Sequence, residues 1–209
     1  MQTDVVTKSL LIQCQPLILA SLSPRRQELL QDLGLEFSIV PAAVQEEAAK
    51  GESPADFVCR MAGDKANAVA DHYGESWVLG ADTIVVREDG MVLGKPCNTQ
   101  EACIMLRSIA GRRHEVMTAY SLVNRSRAVF ITRLEQAGVC LLPLSADMIS
   151  AYVATGESMD KAGSYALQGI GGAFVASIDG AHSTVIGLPV HRVMADLLEC
   201  GIAEVNTGE

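Results

Sequence analysis

The chain has 209 residues, of which 49% are hydrophobic, 20% charged and only 4% aromatic, with a formal net charge of −9. That length and composition suit one sizeable α/β domain, or two small lobes, packed mainly by aliphatic side chains. An acidic surface repels nucleic acid at long range, so DNA and RNA are excluded as general partners and any anionic ligand needs a locally basic pocket; the apolar runs are too short to cross a membrane.

Residues 1–16 contain one lysine, no arginine and no long apolar core, and read as a short extension rather than a targeting segment. "LILAS" (17–21) is a brief apolar run expected to form a buried strand. Ser23 suits an N-cap and Pro24 the first helical position, with Leu29, Leu30 and Leu33 as the apolar face and Gly34 as the stop. "EFSIVP" (36–41) reads as a second strand, and "QEEAAKGE" (45–52) as a charged loop. Ser53-Pro54-Ala55-Asp56 is a capping box that opens a helix to about Tyr73, with Val58, Met61, Ala62 and Val69 on its apolar stripe. "WVLGADTIVV" (77–86) is a strand-like apolar run broken by Asp82, and "EDGM" (88–91) turns it back into "VLGKP" (92–96). Asn98 and Glu101 open a helix that ends at Gly111, residues 113–142 are β-rich around the turn "NRSR", and Ser145 caps a helix ending near Gly156. "DKAGSYALQGIGG" (160–172) is a polar, Gly-rich segment. "AFVASIDG" and "STVIG" resemble a hairpin, and Pro189 starts a last helix with Val193, Met194, Leu197 and Leu198 on its buried side.

Several side chains stand out against this frame. Arg25 and Arg26 lie in the first turn of a helix, where partial positive charge favours acids over bases. An anion held there would resolve the conflict, because N–H groups and guanidinium forks together cradle phosphate oxygens; a plain surface location is the alternative. The frame resembles a phosphate loop without the Walker A pattern. Lys65 falls on an apolar stripe, so it either snorkels to solvent or reaches an anion in a pocket. Asp82 within a buried strand needs an ionic partner, a metal, or a place at a ligand crevice as general base. Glu46 and Glu47 alone read as solvated loop charges, and Lys95 alone is weak evidence. Asp160, Lys161, Ser164, Tyr165 and Gln168 are interleaved with glycines, which let backbone approach a ligand, although an ordinary surface loop fits as well. Cations in an acidic chain suggest a polyphosphate ligand, and carboxylates suggest a hard divalent cation such as Mg²⁺ or Mn²⁺. The six cysteines form no C-x-x-C and read as reduced thiols of a cytoplasmic protein, and the four histidines lack paired metal spacing.

"LILASLSPRRQELL", "GDKA", "GADTIVV", "GKP", "GRRHEVMTAYSL", "PLSADMISAYVATGESMDKAGSYALQGIGGAFV" and "VIGLPV", in this order over residues 17–200, resemble the Maf family, often labelled septum formation proteins. The resemblance implies a Maf/inosine-triphosphate-pyrophosphatase-like α/β fold: a mixed twisted sheet flanked by helices, with a crevice between two lobes of one domain spanning 17–205. It also implies a nucleoside triphosphate pyrophosphatase dependent on Mg²⁺, Mn²⁺ or Co²⁺, releasing the monophosphate and pyrophosphate. By motif, Ser21, Arg25 and Arg26 match the phosphate loop, Glu46 an acidic metal-side residue, Lys65 the helix lysine, and Asp82 the catalytic acid and metal ligand with Thr83 beside it. Lys95 matches a catalytic lysine and Gln168 a substrate-binding glutamine. "GADT" and "DKAGSYALQG" look like the branch acting on dTTP and UTP, and relatives imply a homodimer. Gln45 stands where the family often has Asp, and "RLEQAGVCLLPLS" replaces a common threonine-rich strand. A nucleotide-binding regulator of division with little catalysis is the competing class.

Overall fold

The computed structural model describes residues 10–207. Among the described residues, nine strands and six α-helices follow one another: β1 (Leu11–Gln13), β2 (Leu17–Leu19), α1 (Pro24–Asp32), β3 (Ser38–Ile39), α2 (Pro54–Ala70), β4 (Trp77–Arg87), β5 (Val92–Leu93), α3 (Thr99–Ile109), β6 (Arg113–Asn124), β7 (Val129–Leu141), α4 (Ala146–Ala154), β8 (Val175–Asp179), α5 (His182–Ile186), α6 (Val190–Glu199) and β9 (Ala203–Val205). The main sheet has the order β3-β2-β4-β6-β7-β8. β2 runs parallel to β3 and β4, and the remaining pairs are antiparallel, so the sheet is mixed.

β4 is the axis of the fold. One of its edges pairs with β6 along almost its whole length. The other edge takes two short strands: β2 opposite residues 77–79, and β5 opposite residues 85 and 86. On that second edge, residues 80–84 have no ladder partner among the described residues, which opens a crevice in the sheet.

Alternation along β4 then sorts its side chains between two faces. Trp77, Leu79 and Ala81 join Leu19, Leu30, Tyr120, Leu122, Val193 and Leu197 in a core covered by α1 and α6. Val78 packs against Ala66, Val69 and Ala70 of α2, and Ile84 and Val86 against Val58 and Ala62 of the same helix. Beyond the crevice, Val85, Leu93 and Val116 meet α3 and α4 through Leu106, Ile109, Ile149 and Tyr152. Burial on both faces explains why β4 reads as a nearly continuous apolar run.

The capping signals operate as expected at three helices: Ser53, Asn98 and Ser145 each accept the backbone N–H three residues on. α2 ends at Ala70, three residues before the expected Tyr73, and the second strand shrinks to Ser38–Ile39. The expected 173–187 hairpin does not form. Val175–Asp179 pairs with β7 instead, and His182–Ile186 is helical. The β-branched "STVI" favours a strand by local propensity, but here it forms a short helix, in which the Thr184 carbonyl accepts from Thr118 of β6 and the carbonyl of Gly187, just after it, accepts from Arg26 of α1. Residues 1–9 of the segment read as an extension lie outside the described residues, whereas Leu11–Gln13 pairs with β9. Among the described residues, no helix is long and apolar enough to cross a membrane.

Candidate active site

The crevice beside β4 is a cleft of about 820 Å³. It is lined jointly by Ser21 from the β2–α1 turn, Arg25 and Arg26 from the first turn of α1, Glu46 from the loop after β3, Lys65 from α2, Asp82 and Thr83 from β4, and Lys95 from the turn after β5. Asp160, Lys161 and Tyr165 of the Gly-rich segment complete the wall. Gln168 is exposed and does not line the cleft, so the structure does not bring it to the other candidates.

Adjacent residues of β4 serve opposite faces. Asp82, only 8% exposed, faces α2 together with Gly80 and Ile84. Gly80 lets the helix come this close: a Cβ there would stand 2.5 Å from the Ala62 carbonyl oxygen and the Ala66 nitrogen. Lys65 therefore reaches the crevice from a helix pressed onto the strand. Its Nζ donates to Asp82 Oδ1 at 2.7 Å and lies 2.5 Å from Glu46 Oε1. The lysine on the apolar stripe is thus a bridge between two carboxylates. Partial burial pushes the Glu46 carboxyl up, but the Lys65 hydrogen bond and charge, helped by Lys95 and Arg26, hold it below the usual carboxylate range. The Glu46 loop is itself fastened to α2, since Arg60 forks onto both Glu52 oxygens at 2.6 and 2.7 Å and donates to the Glu47 carbonyl at 3.0 Å.

Thr83 faces the other way. Arg26 donates to the Gly187 carbonyl at 2.8 Å, to Ser21 Oγ at 3.2 Å and to Thr83 Oγ1 at 3.1 Å. Thr118, opposite Thr83 in the β4–β6 register, donates to the Thr184 carbonyl at 2.7 Å. Its hydroxyl proton is therefore committed, so Thr83 donates across the 3.0 Å contact to Thr118. A directional chain runs Arg26 → Thr83 → Thr118 → Thr184 and fixes the guanidinium. Burial lowers the pKa of Arg26, while the charge of Asp82 opposes that shift.

Arg25 is held differently. Its ionic contact is with the exposed Asp160, at 3.8 Å, and Asp160 also binds Lys161. α1 has no acid in its first turn and Ser23 makes no side-chain cap bond, so the basic first turn is left open toward the cleft. An anion fits there.

Sequence reasoning singled out Asp160, Lys161 and Tyr165 as polar groups of the Gly-rich segment but did not count them as site residues. It missed the roles of Thr118 and His114 altogether. His114, on β6 and 1% exposed, contacts the Tyr165 hydroxyl through Nε2 at 2.8 Å, and so braces a residue of the cleft wall. Both contacts depend on strand register, which no local signal encodes.

Fit to a divalent cation can be judged from the donors. Glu46 and Asp82 offer hard oxygen ligands on either side of one positive charge, the Lys65 ammonium. Among the described residues no group of three or more His, Cys, Asp or Glu side chains is placed to hold a metal. The residues therefore suit a cation that takes one or two carboxylates and completes its shell with phosphate oxygens and water, as Mg²⁺ prefers.

Residues 16–200 match the family described as Maf-like protein. The chain is 44% identical over 191 residues to the dTTP/UTP pyrophosphatase of Desulfotalea psychrophila, covering 91% of this chain and 97% of that protein. It is 48% identical over 187 residues to the dTTP/UTP pyrophosphatase of Symbiobacterium thermophilum, covering 90% and 95%. A solved nucleoside-triphosphatase / dITP/XTP pyrophosphatase from Mycobacterium abscessus overlaps 90% of this chain and 96% of its own at 13% identity, with a TM-score of 0.42, too slight a likeness to carry an argument.

Proposed function

Because the chain belongs to the family of Maf-like proteins, we propose that it is a nucleoside triphosphate pyrophosphatase that hydrolyses dTTP and UTP to the monophosphate and pyrophosphate. The observation that supports this reading is the convergence of Arg25, Arg26, Lys65, Lys95 and Lys161 with Glu46 and Asp82 on one cleft in a chain of net charge −9. Such a chain has little reason to gather basic groups except to hold an anion.

In this reading the α1 first turn, Arg25, Arg26, Lys95 and Lys161 take the phosphate chain, and Ser21 and Thr83 set Arg26. Asp82 accepts a proton from water as the water oxygen bonds to the α-phosphorus. The bond from that phosphorus to the α–β bridging oxygen breaks, and pyrophosphate leaves with the bridging oxygen. Lys65 keeps Asp82 and Glu46 at a fixed separation and offsets their mutual repulsion. Glu46 and Asp82 are the residues that would hold a divalent cation, which when bound neutralises phosphate charge and acidifies water. Electrostatic preorganisation of this kind is the main requirement of phosphoryl chemistry.

A homodimer rests on the family resemblance and a cytoplasmic setting on the reading of the cysteines as reduced thiols, and sedimentation tests the first. For the activity itself, the experiment is a screen of dTTP, UTP, CTP and purine triphosphates, reading pyrophosphate with and without Mg²⁺, Mn²⁺ or Co²⁺. Metal-dependent release from dTTP and UTP is expected. Tight nucleotide binding without release under any of these metals would favour a nucleotide-binding regulator instead.

A further inference from the structure

Four cations at the phosphate end of the cleft are held in three different ways. Arg26 is tied to a backbone carbonyl and two hydroxyls. Lys65 is committed to Asp82 and Glu46. Arg25 and Lys161 meet only each other's partner: Asp160 lies 3.8 Å from Arg25 through Oδ2 and binds the Lys161 ammonium through Oδ1. Among the described residues, Asp160 is the only carboxylate in salt-bridge contact with Arg25 or Lys161, although the Lys161 charge also reaches Glu157.

Asp160 has no comparable anchorage. Its side chain is 66% exposed, at the mouth of the cleft, whereas those of Arg25 and Lys161 are 25% and 13% exposed. It sits in a run of turns between Gly156 and Gly163, both with left-handed backbone (φ 80° and 68°), where glycine gives the chain freedom to move. Partial burial works against its ionisation, but Lys161 and then Arg25 keep its carboxyl below the ordinary range, so it is anionic at neutral pH. One carboxylate thus bridges two cations that a phosphate group would also bridge.

We propose that Asp160 is an internal competitor for the phosphate cradle: its carboxylate occupies Arg25 and Lys161 when no phosphate is bound, must release them for the phosphate chain to engage, and returns to them as pyrophosphate leaves. The role rests on the phosphate-cradle reading above and adds to it a residue that weakens binding. The physical consequence is a reduction of apparent affinity by the fraction of molecules in which the cradle is occupied by Asp160. Such a residue speeds product release. An acid placed to bind metal or to order the loop would instead strengthen binding.

The test measures inhibition by inorganic pyrophosphate at fixed Mg²⁺ and moderate salt. Asp160→Asn is expected to bind pyrophosphate about threefold to tenfold more tightly, the range two exposed ion pairs can supply. KM for UTP should fall while kcat does not rise. Asp160→Glu, which keeps the charge, should stay within about twofold of the wild type. In a Lys161→Gln background the gain from Asp160→Asn should shrink, because one of the released cations is gone. Thermal unfolding confirms that each variant is folded. A folded Asp160→Asn protein with unchanged or weaker pyrophosphate affinity overturns the proposal, as does weaker affinity that added Mg²⁺ restores. If the wild type itself fails to bind pyrophosphate, the cradle reading falls as well. Binding by the wild type with no gain in Asp160→Asn removes the role of Asp160 alone.

Discussion

Asp82 and Thr83 are neighbours in the chain and stand on opposite faces of β4, each holding a different cation of the cleft. Asp82 accepts from Lys65 at 2.7 Å on the α2 face, and Thr83 accepts from Arg26 at 3.1 Å on the face shared with α1 and α5. Strand alternation makes one dipeptide the joint between the two halves of the site. In the proposed reaction the carboxylate side takes the proton and the hydroxyl side positions the phosphate chain.

Asp82→Asn keeps the shape of the strand and removes the proposed proton acceptor. Pyrophosphate release is expected to fall about 10²–10⁴-fold, the range of a lost general base. Circular dichroism and thermal unfolding should show a folded protein, because the Lys65 ammonium retains Glu46 as partner. Turnover near the wild-type rate would remove Asp82 from the chemistry.

Arg26→Lys keeps one positive charge and loses the fork that meets Gly187, Ser21 and Thr83 together. The exchange is not conservative at such a site. Steady-state kinetics should show KM raised by roughly tenfold, with stability reduced by about 1–3 kcal/mol from the unpaired acceptors. The same substitution at Arg25, which has one loose ionic contact, should cost stability far less.

Gly80→Ala places a methyl where the Ala62 carbonyl oxygen and the Ala66 nitrogen approach within 2.5 Å. Both are helix backbone and cannot swing aside, so α2 must move off β4. A loss of about 1–3 kcal/mol is expected by chemical denaturation. Activity should fall further than stability accounts for, since Lys65 moves with the helix away from Asp82. A fully active Gly80→Ala enzyme would show that this spacing is not required.

Much of this architecture was legible before the structure because it is written locally. Ser53, Asn98 and Ser145 announce their helices through short-range caps, and the run from Trp77 to Val86 announces a doubly buried strand. Family motifs led to the cleft residues, and all but Gln168 line it. What stayed hidden depends on contacts distant in sequence. "STVIG" (183–187) read as one strand of a hairpin, yet His182–Ile186 is a helix whose 184 carbonyl accepts from Thr118. Likewise Lys65 left snorkelling and pocket-seeking open until Gly80 brought α2 down onto β4.

His114 gives the fold a pH response of its own. Burial, and then the charge of Arg113, pushes its imidazole down to about 4 from the ordinary 6.5. The unfolded chain therefore binds a proton that the folded chain refuses between those values. The contribution is fully present above about pH 6.5 and is lost as pH falls toward 4, by at most about 3 kcal/mol. Urea denaturation from pH 7 to pH 4.5 should show a steeper decline for the wild type than for His114→Gln. Equal slopes would mean that His114 does not titrate on unfolding.

The claim on which the rest depends is attack at the α-phosphorus within this cleft. Phosphorus NMR of products from UTP and dTTP, with Mg²⁺ present, tests it most directly. The account requires the nucleoside monophosphate and inorganic pyrophosphate as first products, both lost in Asp82→Asn. Appearance of the nucleoside diphosphate and orthophosphate, or of no product under any divalent metal, would contradict it.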